Sequence, residues 1–96
     1  MRVIITGAAS GIGRACAELL AGGKVIAGQH RLLLADRDAE NLRQVAEMIG
    51  PAAAACVVDL AEEDCGERIV AAALAHMDGI DAVISNAGII MGGALV

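Results

Sequence analysis

The residues best suited to chemistry sit together near the start of the chain, in Thr6-Gly7-Ala8-Ala9-Ser10-Gly11-Ile12-Gly13, directly behind the apolar run Val3-Ile4-Ile5. A glycine-rich turn between an apolar run and a helix-patterned segment presents unpaired backbone amides at a helix start. The helix dipole favours negative charge at the same place, so the pattern suits a pyrophosphate. Gly7 permits the tight turn, Gly11 lets the backbone approach phosphate oxygens, and Gly13 lets the helix lie close on the strand. Other reactive side chains are scattered. His30 and His76 have no His-x-x-x-His or Cys-x-x-Cys companions, so no metal site is expected. His76 suits the dipole at the end of a helix. Cys16 and Cys56 fall on apolar faces as core residues, and Cys65 lies near a helix start without a charged companion. Glu62-Glu63-Asp64 reads as a solvated helix N-terminus.

The elements that must position the loop follow from periodicity. Ile12, Ala15, Cys16, Leu19 and Leu20 recur at helical spacing, with Arg14 and Glu18 on the outside. Leu42, Val45, Ala46 and Ile49 repeat the pattern up to Gly50-Pro51, and Ile69, Val70, Ala73, Leu74 and Met77 form a third stripe closed by Asp78-Gly79. Asp59 and Glu62 have capping-box spacing, which predicts a helix soon after the third strand. Strand-like runs lie between these stripes at Leu32-Leu33-Leu34-Ala35-Asp36, Val57-Val58-Asp59-Leu60 and Val83-Ile84-Ser85-Asn86. The order β-α-β-α-β-α-β implies a parallel sheet with right-handed crossovers.

Composition narrows the class. Ninety-six residues make one small domain. The hydrophobic fraction is 57%, but 21 residues are alanine and none is aromatic, so Val, Ile, Leu and Met must build the core. A net charge of −5 without a basic cluster excludes a nucleic-acid or anionic-membrane surface. No apolar run approaches a membrane span, and Met1 to Ile5 is too short for a signal peptide. Three cysteines without paired spacing imply reduced thiols and a cytoplasmic setting.

The glycines run G-x-x-x-G-x-G, preceded by Thr6 and with Ile12 between the last two. With Asp36 ending the second strand, Asp59-Leu60 the third and Asn86-Ala87-Gly88 the fourth, the chain resembles the short-chain dehydrogenase/reductase family over nearly its whole length. The resemblance implies a Rossmann-like α/β fold: a parallel sheet of four strands in order 3-2-1-4 with helices on both faces, an incomplete doubly wound domain over residues 1–96. Asp36, 23 positions past Gly13, lies near the roughly 20-residue spacing at which an acid meets the adenosine ribose hydroxyls. A carboxylate there repels a 2′-phosphate and favours NAD over NADP. Arg37 would suit that phosphate, so the preference is not absolute; Ser10, where NADP-preferring relatives often carry a basic residue, restores it. Asp36 also suits an ordinary strand-end or N-cap acid. By resemblance, Asp59 bonds the adenine amino group with Leu60 beside the ring, and Asn86, Ala87 and Gly88 line the floor near the cofactor. Asp59 equally suits an N-cap, and Asn86 a tether between strands. The connection Ala21 to His30 is longer than such a unit needs; it reads as a surface loop, although a strand at Lys24-Val25-Ile26 would shift the register and unseat Asp36.

The family reduces carbonyls or oxidises alcohols through a Tyr-x-x-x-Lys pair downstream of Asn-Ala-Gly. This sequence contains no tyrosine and runs eight residues past Gly88. Ser10 and Ser85 belong to cofactor-side motifs, so no acid-base residue is assigned. The expectation is therefore a truncated amino-terminal part that binds the adenosine diphosphate half of NAD without catalysis alone. One alternative is a free-standing, non-catalytic nucleotide-binding module that forms a homodimer through the exposed fourth-strand edge, Ile80 to Ile84. A more distant one is an S-adenosylmethionine-dependent methyltransferase domain, which shares a glycine-rich first loop and acids after the second and third strands. Against it, Thr6 rather than an acid ends the first strand.

Overall fold

The computed structural model describes residues 1–23 and 28–86. The apolar runs form β1 (Arg2–Thr6), β2 (Arg31–Asp36), β3 (Ala53–Val57) and β4 (Ala82–Ser85), separated by α1 (Gly11–Ala21), α2 (Ala39–Ile49) and α3 (Cys65–Met77). Every strand pair is parallel and the order is β3-β2-β1-β4, as the resemblance implies. β1 and β2 lie at the centre, buried on both faces, which is why they read as unbroken apolar runs rather than as alternation. Val3, Ile5, Leu32 and Leu34 face α1 and α2, packing with Ala17, Leu20, Leu42 and Val45. Ile4, Leu33 and Ala35 face the other way, onto Ile69, Ala73 and Met77 of α3. Helices therefore cover both faces.

Three local expectations change. The third strand lies earlier than its valines suggested. Its residues are mostly alanine, poor strand formers held by their register against Leu32 to Asp36, so pairing overrides propensity. The buried side of α1 is Gly13, Ala17 and Leu20, while Ile12 is 72% exposed and Leu19 48%. Small residues at positions 13 and 17 let the helix sit close on the sheet, and that contact rolls the larger side chains outward. Finally, α3 starts at Cys65 with Asp64 as its N-cap, so Asp59 and Glu62 do not form the capping box their spacing suggested. The Asp59 carboxylate accepts the Ala61 amide at 2.9 Å and its carbonyl accepts the Glu62 amide at 3.0 Å, a local turn that competes with helix. Glu62, Glu63 and Asp64 thus precede the helix instead of forming its first turn.

The register of β2 places Asp36 at its carboxyl end, opposite Val57, so the acid assigned from the sequence holds its position. Lys24 to Ala27, where a competing strand would lie, are outside the described residues. The α2 stripe packs as expected, with Leu42 and Val45 buried and Ala46 and Ile49 against them. In α3, Ile69, Ala73 and Met77 are buried while Val70 and Leu74 remain exposed.

Candidate functional site

Because all four strands are parallel, their carboxyl ends fall on one edge of the sheet. β1 ends in Thr6, β2 in Asp36, Asp59 lies two residues past β3, and Asn86 follows β4 directly. The chain leaves β1 toward β2 on one side while β4 flanks β1 on the other, the arrangement that opens a crevice beside the loop after β1.

The loop from Gly7 to Ser10 turns from β1 into α1. Gly7 adopts φ +68° and Gly11 φ +60°, left-handed values that favour glycine. Gly13 is needed for a different reason: a Cβ there would overlap the Gly7 carbonyl, so the helix start rests directly on the turn. At Gly11 a Cβ would meet nothing within 4 Å, which leaves open space over the backbone. Intrahelical bonding begins with the Arg14 amide, which donates to the Ser10 carbonyl at 3.3 Å. The amides of Gly11, Ile12 and Gly13 precede it and have no intrahelical acceptor. The Ser10 side chain makes no capping bond, and the first turn of α1 contains no acid. By contrast, α2 is capped by Asp38 and carries Glu40 in its first turn, and α3 carries Glu67. Three orphan amides, an uncapped positive helix end and open space above Gly11 fit an anionic group such as a pyrophosphate.

Asp36 stands beside this loop, half-buried. Its Oδ2 accepts the Ala9 amide at 3.1 Å and its Oδ1 accepts the Asp38 amide at 3.0 Å. The N-cap of α2 is Asp38, whose carboxylate takes the Asn41 amide, so Asp36 is not the capping acid. A carboxylate offers about four acceptor positions, and roughly two remain here for ribose hydroxyls. Arg37 is exposed next to it. Asp59 is held in its turn by the Ala61 amide and keeps its other oxygen for further bonds, with Leu60 exposed beside it. The Asn86 amide donates to Thr6 Oγ1 at 3.1 Å, and that hydroxyl donates to the Ile84 carbonyl at 3.5 Å. Thr6 thereby ties the end of β4 to β1.

Gly7, Ser10, Arg37, Asp59, Leu60 and Asn86 lie on loops at the carboxyl edge, with Asp36 at the end of β2 and Gly11, Ile12 and Gly13 at the start of α1. Ala87 and Gly88 are outside the described residues. Two contributors were not anticipated as parts of the site, the Thr6 hydroxyl and the Ala9 amide. The signal for Thr6 was its place before Gly7, but its partner is 80 positions away and only the β1–β4 register brings them together. The Cys65 thiol donates to the Leu60 carbonyl at 3.5 Å, whereas Cys56 packs under α3, where burial pushes its thiol up despite the nearby Arg68.

Comparison with known proteins agrees with this geometry. The sequence pattern of the short chain dehydrogenase family matches residues 1–95. The L-rhamnose 1-dehydrogenase (NAD(P)(+)) of Azotobacter vinelandii is 38% identical over 89 residues, covering 91% of this chain and 35% of that enzyme. A sorbitol dehydrogenase of Cereibacter sphaeroides is 37% identical over 86 residues, covering 90% of this chain and 32% of that enzyme. Among solved structures, the 3-ketoacyl-(acyl-carrier-protein) reductase of Brucella melitensis complexed with NADH superposes with a TM-score of 0.76 at 33% identity, over 84% of this chain and 31% of the other. A short chain dehydrogenase/reductase of Burkholderia phymatum in complex with NAD gives 0.75 at 27% identity, over 84% and 28%. The chain spans about a third of the length of the curated relatives it matches.

Proposed function

The chain belongs to the short chain dehydrogenase family, and from that premise we propose that these 96 residues are the NAD-binding part of an oxidoreductase acting on an alcohol or carbonyl substrate. The observation that carries this reading is the uncapped start of α1, with open space at Gly11 and a carboxylate at Asp36 beside it. In this reading the amides of Gly11, Ile12 and Gly13, shaped by Gly7 and Ser10, hold the pyrophosphate. Asp36 accepts the adenosine ribose hydroxyls, Asp59 and Leu60 receive the adenine, and Asn86, Ala87 and Gly88 line the floor. Bound NAD would supply the hydride acceptor. The residues of this chain supply binding and orientation: no tyrosine occurs among them, and no acid-base role at the substrate oxygen is assigned to them.

Asp36 favours NAD, because its charge opposes a 2′-phosphate, while exposed Arg37 tempers the preference. The family match lends nothing to a methyltransferase reading. The free thiols at Cys16, Cys56 and Cys65 support a cytoplasmic setting. No helix among the described residues is long and apolar enough to cross a membrane. The outer edge of β4 has no strand beside it among the described residues, which supports a homodimer through that edge. Light scattering that shows only monomer at high concentration would remove the dimer.

The deciding experiment is a titration with NADH, NADPH and S-adenosylmethionine, followed by nicotinamide fluorescence where the ligand allows; the chain has no tryptophan to interfere. Saturable NADH binding, weaker NADPH binding and none for S-adenosylmethionine is the expected result. Absence of NADH binding at millimolar concentration overturns the reading for these 96 residues.

A further inference from the structure

Asp36 has more bonds than a ribose ligand needs. Its carbonyl accepts the Val58 amide at 3.0 Å, Oδ1 accepts the Asp38 amide at 3.0 Å, and Oδ2 accepts the Ala9 amide at 3.1 Å. One residue thus joins the glycine loop, the exit of β3 and the entry of α2. The bond to Ala9 matters most, because Ala9 directly precedes Ser10, the N-cap of α1. Ala8 is held by the carbonyl of Ala35, at 3.3 Å, so two successive loop amides are fastened to the end of β2. We infer that Asp36 is a positioning residue for the phosphate cradle: its carboxylate holds the loop in the form that presents the Gly11, Ile12 and Gly13 amides, in addition to meeting the ribose. This inference rests on the cofactor reading above and deepens it.

The chemistry of the side chain makes the idea separable from a ribose-only role. A carboxylate can accept two backbone amides at once, whereas asparagine offers one oxygen and one N–H₂ group. In Asp36→Asn one of the two amides, Ala9 or Asp38, therefore faces another donor and loses its bond. Two effects on an anion then oppose each other. Removal of a negative charge beside the cradle tightens anion binding, while a loosened cradle weakens it. A residue that serves only the ribose leaves the first effect alone. It also turns the site toward NADPH, since the repulsion of the 2′-phosphate is gone. A positioning residue weakens both dinucleotides.

The test uses inorganic pyrophosphate, which has no ribose, with the whole 96-residue chain at a temperature where circular dichroism shows the variant folded. Affinity is read from amide chemical shifts, alongside hydrogen exchange at the Ala9 amide. Expected for Asp36→Asn are pyrophosphate binding weaker by about tenfold or more, the size of a lost charge-assisted bond, faster Ala9 exchange, and weaker binding of both NADH and NADPH. Unchanged or tighter pyrophosphate binding with a faster-exchanging Ala9 amide overturns the inference, as does a simple switch to NADPH; where Ala9 exchange shows that asparagine keeps this bond, a backbone ester at Ala9 decides. A second route serves if Asp36→Asn fails to fold: replacing the Ala9 amide by a backbone ester removes the donor and leaves the carboxylate in place for the ribose. Weaker pyrophosphate binding supports positioning, and an unaltered affinity overturns it. If the unaltered chain binds neither pyrophosphate nor NADH, the cofactor reading falls and this inference with it. If it binds both but the variants match it, only the positioning role falls.

Discussion

The two ends of the same sheet are built on opposite plans. At the amino ends of the strands, charged side chains close the structure. Arg2 donates to both oxygens of Asp81 at 3.1 Å and to the Asp78 carbonyl at 3.2 Å, clamping the start of β1 to the turn before β4. His76 bonds the Ala52 carbonyl at 3.0 Å, fastening the end of α3 to the entry of β3. A cavity at this end, lined in part by Gln29, His30, Arg31 and Pro51, lies far along the strands from the glycine loop. At the carboxyl ends, the Asp36 carboxylate and the Thr6 hydroxyl take backbone amides and so tie the loops together without capping α1. The difference shows how one sheet divides its work. The amino end uses its polar groups on itself, whereas at the carboxyl end the first amides of α1 have no side-chain cap.

Substitutions can break or sharpen that contrast. The largest effect belongs to Gly13→Ala, where even one methyl group meets the Gly7 carbonyl. A cost of about 3 kcal/mol is expected, the upper end for overpacking because the obstruction is backbone. Urea unfolding should show it, and NADH binding should disappear with it. Gly11→Ala comes next. The left-handed φ costs about 1–2 kcal/mol, but the position is open, so NADH affinity should fall by more than the stability does. Equal losses in the two measurements would mean that Gly11 serves only the turn.

Thr6→Val keeps the shape and removes the hydroxyl between Ile84 and Asn86. A loss of about 1 kcal/mol is expected in denaturant unfolding, with faster hydrogen exchange at the Asn86 amide. The smallest effect lies at the amino end, in Asp81→Asn. Bonds from Arg2 lower the Asp81 carboxyl to about 2, below the roughly 3.9 of an unfolded aspartate. Its contribution is therefore complete above about pH 4 and fades as the pH falls toward the folded value. The wild-type advantage over Asp81→Asn should close across that interval. NADH binding at neutral pH should stay unaltered, because the clamp is at the other end of the sheet.

Parts of this molecule were legible from residues alone. Val3-Ile4-Ile5 and Leu32-Leu33-Leu34 announced strands buried on both faces, and Leu42, Val45, Ala46 and Ile49 announced the buried side of α2. The roll of α1 was not legible, because of its large apolar side chains only Leu20 faces the sheet, while Ile12 and Leu19 point outward. Periodicity weighs side-chain size, while close packing here placed Gly13 and Ala17 against the sheet beside Leu20. The alanine strand β3 was obscured in a similar way, since its formation depends on β2 beside it.

The sequence by itself determined the alternation of strands and helices, the glycine loop behind β1, and the acid and asparagine in their order along the chain. Apart from the alanine strand β3, these follow from local patterns of size, polarity and backbone freedom, which a neighbouring segment does not have to supply. Only the tertiary structure decided what those groups are bonded to. The Ala9 amide meets Asp36 across 27 positions, and the Asn86 amide meets Thr6 across 80. Such contacts depend on parallel strand register, which brings distant strand ends to one edge, and no local pattern of residues encodes that distance.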